Sequence, residues 1–373
     1  MQETSGDREA GRVKTLILSD GRPGHYNQSV GIADNIKNSH NKFVEVKFKR
    51  EVCDYILRLW CAVWSKTLDI IPGGKKLLRI FLKKDNLESL MRSEPDLIIS
   101  AGSSLAGINL IMADIKNADS VVCMIPDLIG TTPFDLAVVP THDDPPSDGN
   151  IVETLGAPNR ITPQYIKQTR EKWEKKLPFS PLEMPSPVIG IMLGGNNSYF
   201  QLTSEVCNNL LDELNEYRSE TGGSVILTTS PRTPAKIENI CRSDFAPFDD
   251  KEKFLILSDE WDMNPVPMIL DVSDAVIVTE DSVSMVSEAV SVCGKVFVLE
   301  LVSRGRGIPK TQKTLDELKE KGYIKLFSLL KGEDTSLEQL FNKGNMPFSE
   351  EGRLKEAEKA AKIIRERLLA GGK

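Results

Sequence analysis

The sequence predicts an α/β protein of two domains, each a parallel sheet covered by helices. Three observations carry that expectation. Short runs of Val, Ile and Leu alternate with helical stretches almost from end to end, as strands and crossover helices do. Several of these runs end in small polar or glycine-containing turns: 19–25, 100–104, 193–197 and 279–282. And 373 residues are enough for two domains of ordinary size, with a Pro-rich stretch at 178–187 between them.

In the first half the expected strands are Val13–Leu18, Val44–Phe48, Leu97–Ser100, Val121–Ile125 and Leu136–Val139, each a short apolar run. Helical spacing places helices at Gln28–Lys37, Tyr55–Leu68, Lys75–Leu82 and Leu105–Ile115. Residues 143–149, DDPPSDG, form a turn-rich break. A charged helix at Gln164–Lys176 and the prolines after it read as a linker over 164–187. The second half repeats the alternation, with strands Val188–Leu193, Val225–Thr229, Phe254–Leu257, Ala275–Val278 and Val296–Leu299. Its helices are expected at Ser204–Arg218, Pro234–Cys241, Pro267–Asp271 and Ser282–Val292. A tail helix over Glu350–Leu369 carries Leu354, Ala357, Ala360, Ala361, Ile364 and Leu368 at helical spacing. The expected domains are therefore 1–163 and 188–349, with the tail 350–373 joined to the first. Two such domains facing a cleft suit two substrates, because ligands of open α/β sheets bind at the carboxyl ends of the strands.

Composition removes several classes. Hydrophobic residues make up 40% and charged ones 27%, as in soluble globular proteins. A net charge of −7 argues against a general nucleic-acid binder. The six cysteines, with no CxxC spacing, read as reduced and buried. Three histidines far apart, His25, His40 and His142, give no metal site. Met1–Gly11 is polar, without an apolar signal core or an Arg-rich transit pattern. No run of 18 apolar residues occurs. A cytoplasmic protein is expected.

The late turn is the most informative segment. Thr279 and Ser282 follow a buried strand and can cap the next helix, whose N–H groups then face an anion. Glu288 follows at a distance suited to a ribose diol. In the same half, Gly194 and Gly195 end a strand and allow a diphosphate to approach the backbone. Ser230 and Arg232 end the next, Arg232 as a phosphate clamp. Asn264 follows the third and could frame a base. Four successive turns thus offer donor ligands at one sheet edge; any one of them alone could be an ordinary strand-to-helix connection.

In the first half Gly21 and Gly24 allow a tight turn before His25, a residue suited to taking a proton near neutral pH or, equally, to capping a helix. The turn is not GxGxxG, and no acid for a ribose stands after the second strand, which weakens a dehydrogenase reading. Gly102 and Ser103 offer anion or acceptor contacts. Asp127 ends another strand, where it could orient His25, bind an acceptor hydroxyl or close a turn. Residues 55–64 are apolar and hold Trp60 and Trp64, with Lys66, Lys75, Lys76 and Arg79 beyond. This reads either as a core helix with solvated lysines or as an interfacial helix lying on a membrane.

These motifs, in order from Asp20–His25 to Thr279–Met285, resemble the mitochondrial-fission ELM-type family, whose bacterial members are described as glycosyltransferases. The opening strand–turn–His–helix and the late Ser-rich turn ending in Ser287-Glu288 also look like the lipid II GlcNAc transferases, which are GT-B enzymes. That resemblance implies a GT-B fold of two Rossmann-like domains facing a cleft, with His25 at the acceptor and Glu288 on the donor ribose. It departs from that pattern at Asp20–Pro23, in place of paired glycines, and at Glu280–Asp281, where glycine is usual.

The expected activity is transfer of a sugar from a nucleotide-sugar, a substrate rather than a cofactor, to a lipid-linked or saccharide acceptor. His25 or Asp127 would be the base. Inversion is expected because it needs one base and one in-line attack. With Arg232 and helix N-termini stabilising the leaving diphosphate, no metal is required. The protein would be cytoplasmic, with contact to the inner face of a membrane through 55–79. Two rival readings are a non-catalytic scaffold recruiting a membrane-remodelling partner and a nucleotide-sugar epimerase on the same fold.

Overall fold

The computed structural model describes residues 12–65, 71–246, 250–330, 336–342 and 352–370. The N-terminal segment 1–11, Lys66 and the start of the tail at 350–351 lie outside the described residues. The chain divides into two compact units, Met1–Arg160 with Lys355–Lys373, and Ile161–Leu354.

Unit 1 holds strands β1 (Val13–Ser19), β2 (Ser39–Glu45), β3 (Leu97–Ala101), β4 (Asp119–Cys123), β5 (Leu136–Pro140) and β6 (Ile151–Thr154). All pair in parallel in the order β2-β1-β3-β4-β5-β6. Its helices are α1 (Pro23–Asp34), α2 (Glu51–Trp64), α3 (Gly74–Phe81), α4 (Lys84–Met91) and α5 (Ser103–Lys116). Successive residues of β1 serve opposite faces. Leu16 and Leu18 pack with Leu57, Cys61 and Ile108, while Ile17 packs with Val30, Ile32 and Ile364. A sheet buried on both sides reads as continuous apolar runs, which is why these strands were visible in the sequence.

Unit 2 begins with α6 (Pro163–Trp173) and then holds β7 (Val188–Met192), β8 (Phe200–Gln201), α7 (Ser204–Thr221), β9 (Ser224–Thr228), α8 (Ala235–Asp244), β10 (Lys253–Ile256), α9 (Val266–Val272), β11 (Ala275–Thr279), α10 (Val283–Val290), β12 (Val296–Leu299), β13 (Val302–Ser303), α11 (Gln312–Glu320), β14 (Ile324–Phe327) and α12 (Leu337–Asn342). Its six-stranded parallel sheet runs β10-β9-β7-β11-β12-β14, with β8 and β13 forming a separate antiparallel pair. The last helix, α13 (Glu356–Ile364), belongs to unit 1, where it buries Ala360, Ala361 and Ile364; a π-helical turn, Arg365–Leu369, follows it.

Several elements differ from expectation. β2 lies five residues earlier than the apolar run Val44–Phe48, because it is an edge strand of which only Val44 is buried. The strands β6 and β14, and the helices α4, α11 and α12, had too short an apolar signal to be anticipated. α1 starts at Pro23 rather than Gln28, with the proline in its first turn, where its missing N–H costs nothing. Residues 164–187, expected as a linker, contain α6, whose Trp173 is fully buried against Ile226, Ile256 and Met268. Burying a large apolar side chain contributes about 1.5–3 kcal/mol, so this segment is part of the core of unit 2.

Candidate functional site

Both sheets reverse direction once. In unit 1 the chain steps outward from β1 to β2, then returns to β3 on the other side of β1. In unit 2 it steps from β7 through β9 to β10, then returns to β11 beside β7. Such reversals leave a crevice at the carboxyl ends of the two strands that flank them, where open α/β sheets hold ligands. The strand ends concerned are Ser19 and Ala101 in unit 1, and Met192 and Thr279 in unit 2.

At the unit 1 edge, His25 stands in the first turn of α1 and its Nδ1 lies 2.9 Å from Asp20 Oδ2. The same carboxylate accepts from Ser104 Oγ at 3.0 Å and from the Arg22 N–H at 3.1 Å. Burial pushes the Asp20 carboxyl up, but the His25 and Arg22 hydrogen bonds, the His25 charge and Ser104 together hold it below its usual value. With Nδ1 engaged by Asp20, Nε2 is the nitrogen left to take a proton.

Gly102 lies against this ring. Its φ is +79°, and a Cβ there would fall 2.4 Å from His25 Cε1. Its missing side chain leaves room for the imidazole; the sequence alone places it at the acceptor. Gly21 also has a positive φ, +82°, while Gly24 lies inside α1 with open space beside it.

Asp127 does not orient His25. It closes a turn with Ser103, whose Oγ donates to Asp127 Oδ2 at 3.1 Å and accepts from its N–H at 2.9 Å. Its side chain is 79% exposed and lies 3.9 Å from Arg58, which is bidentate to Asp54. Met124 (φ +70°) and Leu128 (φ +68°) flank this turn in left-handed conformations that non-glycine residues rarely adopt. Such strain costs about 1–3 kcal/mol per residue and gathers at functional sites. Burial is the main cause that raises the Asp54 carboxyl, opposed by Arg58.

At the unit 2 edge the residues converge on a carboxylate that sequence reasoning passed over. Asp281 Oδ2 accepts from the Gly195 N–H at 3.0 Å and from Arg232 Nη2 at 2.8 Å. Its Oδ1 accepts from Thr279 Oγ1 at 2.7 Å, and that hydroxyl in turn accepts from the Gly194 N–H at 2.7 Å. Burial pushes the Asp281 carboxyl up, while Thr279, Gly195 and Arg232 pull it down.

The glycine pair is therefore explained differently from the expectation. A Cβ on Gly194 would fall 2.1 Å from Asp281 Oδ1, and one on Gly195 would fall 2.0 Å from the Arg232 carbonyl. They make room for protein atoms, and their N–H groups are taken. Next to Asp281, burial raises the Glu280 carboxyl to about 7, despite its hydrogen bond from the Leu301 N–H.

The remaining donor candidates separate. Ser230 makes a tight turn, its N–H donating to Thr233 Oγ1 at 2.9 Å, and Thr233 reaches back to the Gly194 carbonyl. Ser282 does not cap α10 with its side chain, which pairs with Ser284 at 3.3 Å; Thr279 is turned toward Gly194 and Asp281 instead. Glu288 lies on α10 and is 8% exposed. Asn264 caps α9 by accepting from the Val266 N–H at 3.0 Å, and its carbonyl accepts from Trp173 Nε1.

Asp20, Ser104, Thr233 and Asp281 are the site residues that were not anticipated. A signal existed for the first: a carboxylate five residues before a histidine, spanning a strand-to-helix turn. Asp281 became visible only once the sheet order brought β11 beside β7, and Thr233 once it brought β9 beside β7.

Two concavities lie elsewhere. One of about 1060 Å³ adjoins Val13, Asn38 and Arg365 in unit 1, and one of about 410 Å³ adjoins Asp274, Gly294 and Cys293 in unit 2. Both sit at amino-terminal strand edges, the end that open α/β sheets do not use for ligands.

α2 is two-faced. Cys53, Leu57 and Cys61 are buried, whereas Val52, Tyr55, Ile56, Leu59, Trp60 and Val63 are 38–60% exposed. The reading of 55–64 as a purely internal helix is thereby corrected. Ile80 on α3 is exposed too, together with Lys75, Lys76 and Arg79. Among the described residues no helix is long and apolar enough to cross a membrane.

A family model described as mitochondrial fission ELM1 matches residues 23–368. Mitochondrial fission protein ELM1 of Arabidopsis thaliana is 24% identical over 374 residues, covering 84% of each chain. Among solved structures, the UDP-GlcNAc 2-epimerase of Methanocaldococcus jannaschii matches with a TM-score of 0.55 at 13% identity, covering 96% of this chain and 99% of that one. The S. aureus MnaA–UDP co-structure matches with a TM-score of 0.50 at 11% identity, covering 97% and 99%. At such identities the likeness is one of fold, and the fold is GT-B.

Proposed function

The chain belongs to the mitochondrial fission ELM1 family, and we propose that it is a glycosyltransferase that moves a sugar from a nucleotide-sugar to a glycan or lipid-linked acceptor. The observation that carries this reading is that each unit holds a polar cluster at its own switch point, a His25–Asp20 dyad in unit 1 and an Arg232–Asp281–Thr279 cluster in unit 2. The solved neighbours support the donor class, since one is a UDP co-structure and the other a UDP-GlcNAc epimerase.

In this reading His25 Nε2 takes the proton of the acceptor hydroxyl as that oxygen attacks the anomeric carbon. The Asp20 carboxylate then stabilises the imidazolium. The bond to the nucleoside diphosphate breaks, its electron pair stays with the diphosphate, and the configuration inverts. Unit 2 holds the donor, with Glu288 on the ribose diol.

α2 supports a lipid-linked acceptor. It brings Asp54 and Arg58 beside Asp127 and carries the exposed apolar stripe on the same helix. An acceptor anchored in a bilayer would arrive along that stripe.

The test is thermal stabilisation and titration with UDP-, GDP-, ADP-, CMP- and TDP-sugars. Glu288→Gln keeps the shape of a buried side chain and removes its charge. It should weaken the preferred donor by about 1–3 kcal/mol, the value of a charged hydrogen bond. An unchanged dissociation constant would take Glu288 out of the donor site. Binding of no nucleotide would favour the scaffold, and release of an epimerised nucleotide-sugar without acceptor would favour the epimerase.

A further inference from the structure

A donor held by unit 2 brings the charge of a diphosphate, and the turn expected to meet it is filled. Gly194 and Gly195 give their N–H groups to Thr279 and Asp281, and Arg232 faces Asp281. Another group on the same edge has to supply positive charge.

Between Glu300 and Asp316 the sequence holds Arg304, Arg306, Lys310 and Lys313 and no carboxylate, in a chain of net charge −7. Arg304, Arg306 and Lys310 are exposed, and no ion pair among the described residues holds them. Gly305 (φ +69°) and Gly307 (φ +87°) alternate with the arginines, giving a backbone that side-chain-bearing residues resist.

The root of this loop is tied to both turns that frame the switch point. The Leu301 N–H donates to Glu280, in the turn after β11. Val302–Ser303 pairs with Phe200–Gln201, and the Arg304 N–H donates to the Tyr199 carbonyl at 2.7 Å, in the segment after β7.

We propose that residues 303–310 form the anion-binding strap of unit 2, with Arg304, Arg306 and Lys310 holding the diphosphate of the nucleotide donor. This rests on the nucleotide-sugar reading above and names the group that recognises the charge. Planar guanidinium forks suit paired phosphate contacts, and lysine adds a point charge.

Calorimetric titration of UDP, GDP, ADP, CDP and TDP, each beside its nucleoside, and of inorganic pyrophosphate, tests the strap. The variant is Arg304→Ala/Arg306→Ala. Both side chains are exposed, so it should melt like the wild type; Arg304→Lys/Arg306→Lys serves as a second variant that keeps the charge. The preferred diphosphate should bind about 10- to 100-fold more weakly to the alanine variant, with its nucleoside unaffected and its salt dependence flattened. The lysine variant should fall between. Undiminished diphosphate binding by the alanine variant would overturn the strap and leave the nucleotide reading standing. If the wild type binds no nucleoside diphosphate, the nucleotide reading fails and pyrophosphate decides. Pyrophosphate binding lost in the alanine variant supports the strap as a diphosphate site. No pyrophosphate binding, or binding that survives the substitution, overturns it.

Discussion

His25 is held by two neighbours of opposite kind, a carboxylate at 2.9 Å and a glycine whose missing side chain leaves space for the ring. Catalysis by this residue makes separable demands on them. His25→Ala should lower turnover about 10²–10⁴-fold with donor affinity intact. Gly102→Ala should act in the same direction, since its Cβ would displace the ring and its φ of +79° disfavours alanine. Asp20→Asn should lower turnover less than His25→Ala and also change the acid side of the stability profile. The folded-state pKa of Asp20 lies below its ordinary value. Its stabilisation is thus fully present above the unfolded pKa and lost as pH falls through the folded one. Steady-state kinetics and melting from pH 7 down to pH 3 decide the matter. Full activity of His25→Ala would leave the dyad a structural contact and shift attention to Asp127. At this scale the sequence shows residue types but not partners. Gly194 and Gly195 were legible as tight-turn residues, yet the atoms they make room for come from Arg232 and from Asp281, 86 positions after Gly195.

Elements were legible where burial on both faces wrote a continuous apolar run, as in β3, β4, β7 and β11, all five residues of each being buried. They were not where an element lies at an edge. β2 buries one residue of seven, and β14 two of four. α2 is the element whose surface says most. Its apolar residues run all round the helix, which periodicity alone cannot resolve into inward and outward faces. The structure sends Cys53, Leu57 and Cys61 inward and leaves Val52, Ile56, Leu59, Trp60 and Val63 exposed. The rings of Trp60 and Trp64 meet at a tilt of 46° with centroids 5.9 Å apart, and Lys75, Lys76 and Arg79 on α3 are exposed. Aromatic rings favour the bilayer interface, and each basic residue near an anionic surface adds about 1 kcal/mol. Weak, salt-sensitive binding to anionic vesicles is therefore expected, against the repulsion of a chain with net charge −7. Co-sedimentation with phosphatidylserine vesicles should fall for Ile56→Ser/Val63→Ser, both exposed positions, and for wild type above about 0.5 M salt. Equal pelleting of the variant and the wild type would return the stripe to an ordinary solvated face.

For the whole molecule, the α/β class and the two series of strands follow from composition and alternation, but the place where function sits follows from strand order. Neither β1 beside β3 nor β7 beside β11 is written in any local pattern. Each unit gathers a polar cluster at the carboxyl ends of its switch-point strands: half-buried Asp20 with His25, and buried Asp281 with Thr279. Buried polar groups are retained where they are paired, and pairing at such an edge prepares a surface for a ligand. Two concavities stand at the amino edges, and in unit 2 Asp274 and Asp271 there are already paired with Ser186 and Arg170. This concavity and the sheet topology thus point to opposite edges of unit 2, and hydrogen exchange separates them. Saturating nucleotide should slow exchange at 194–202, 229–234, 279–289 and 300–310, because ligand binding raises the free energy of local opening at the segments it touches. Exchange at 271–274 and 292–294 should stay unchanged. Protection concentrated at those last two segments would move the ligand to the amino edge, and take the donor roles away from Glu288 and from residues 303–310.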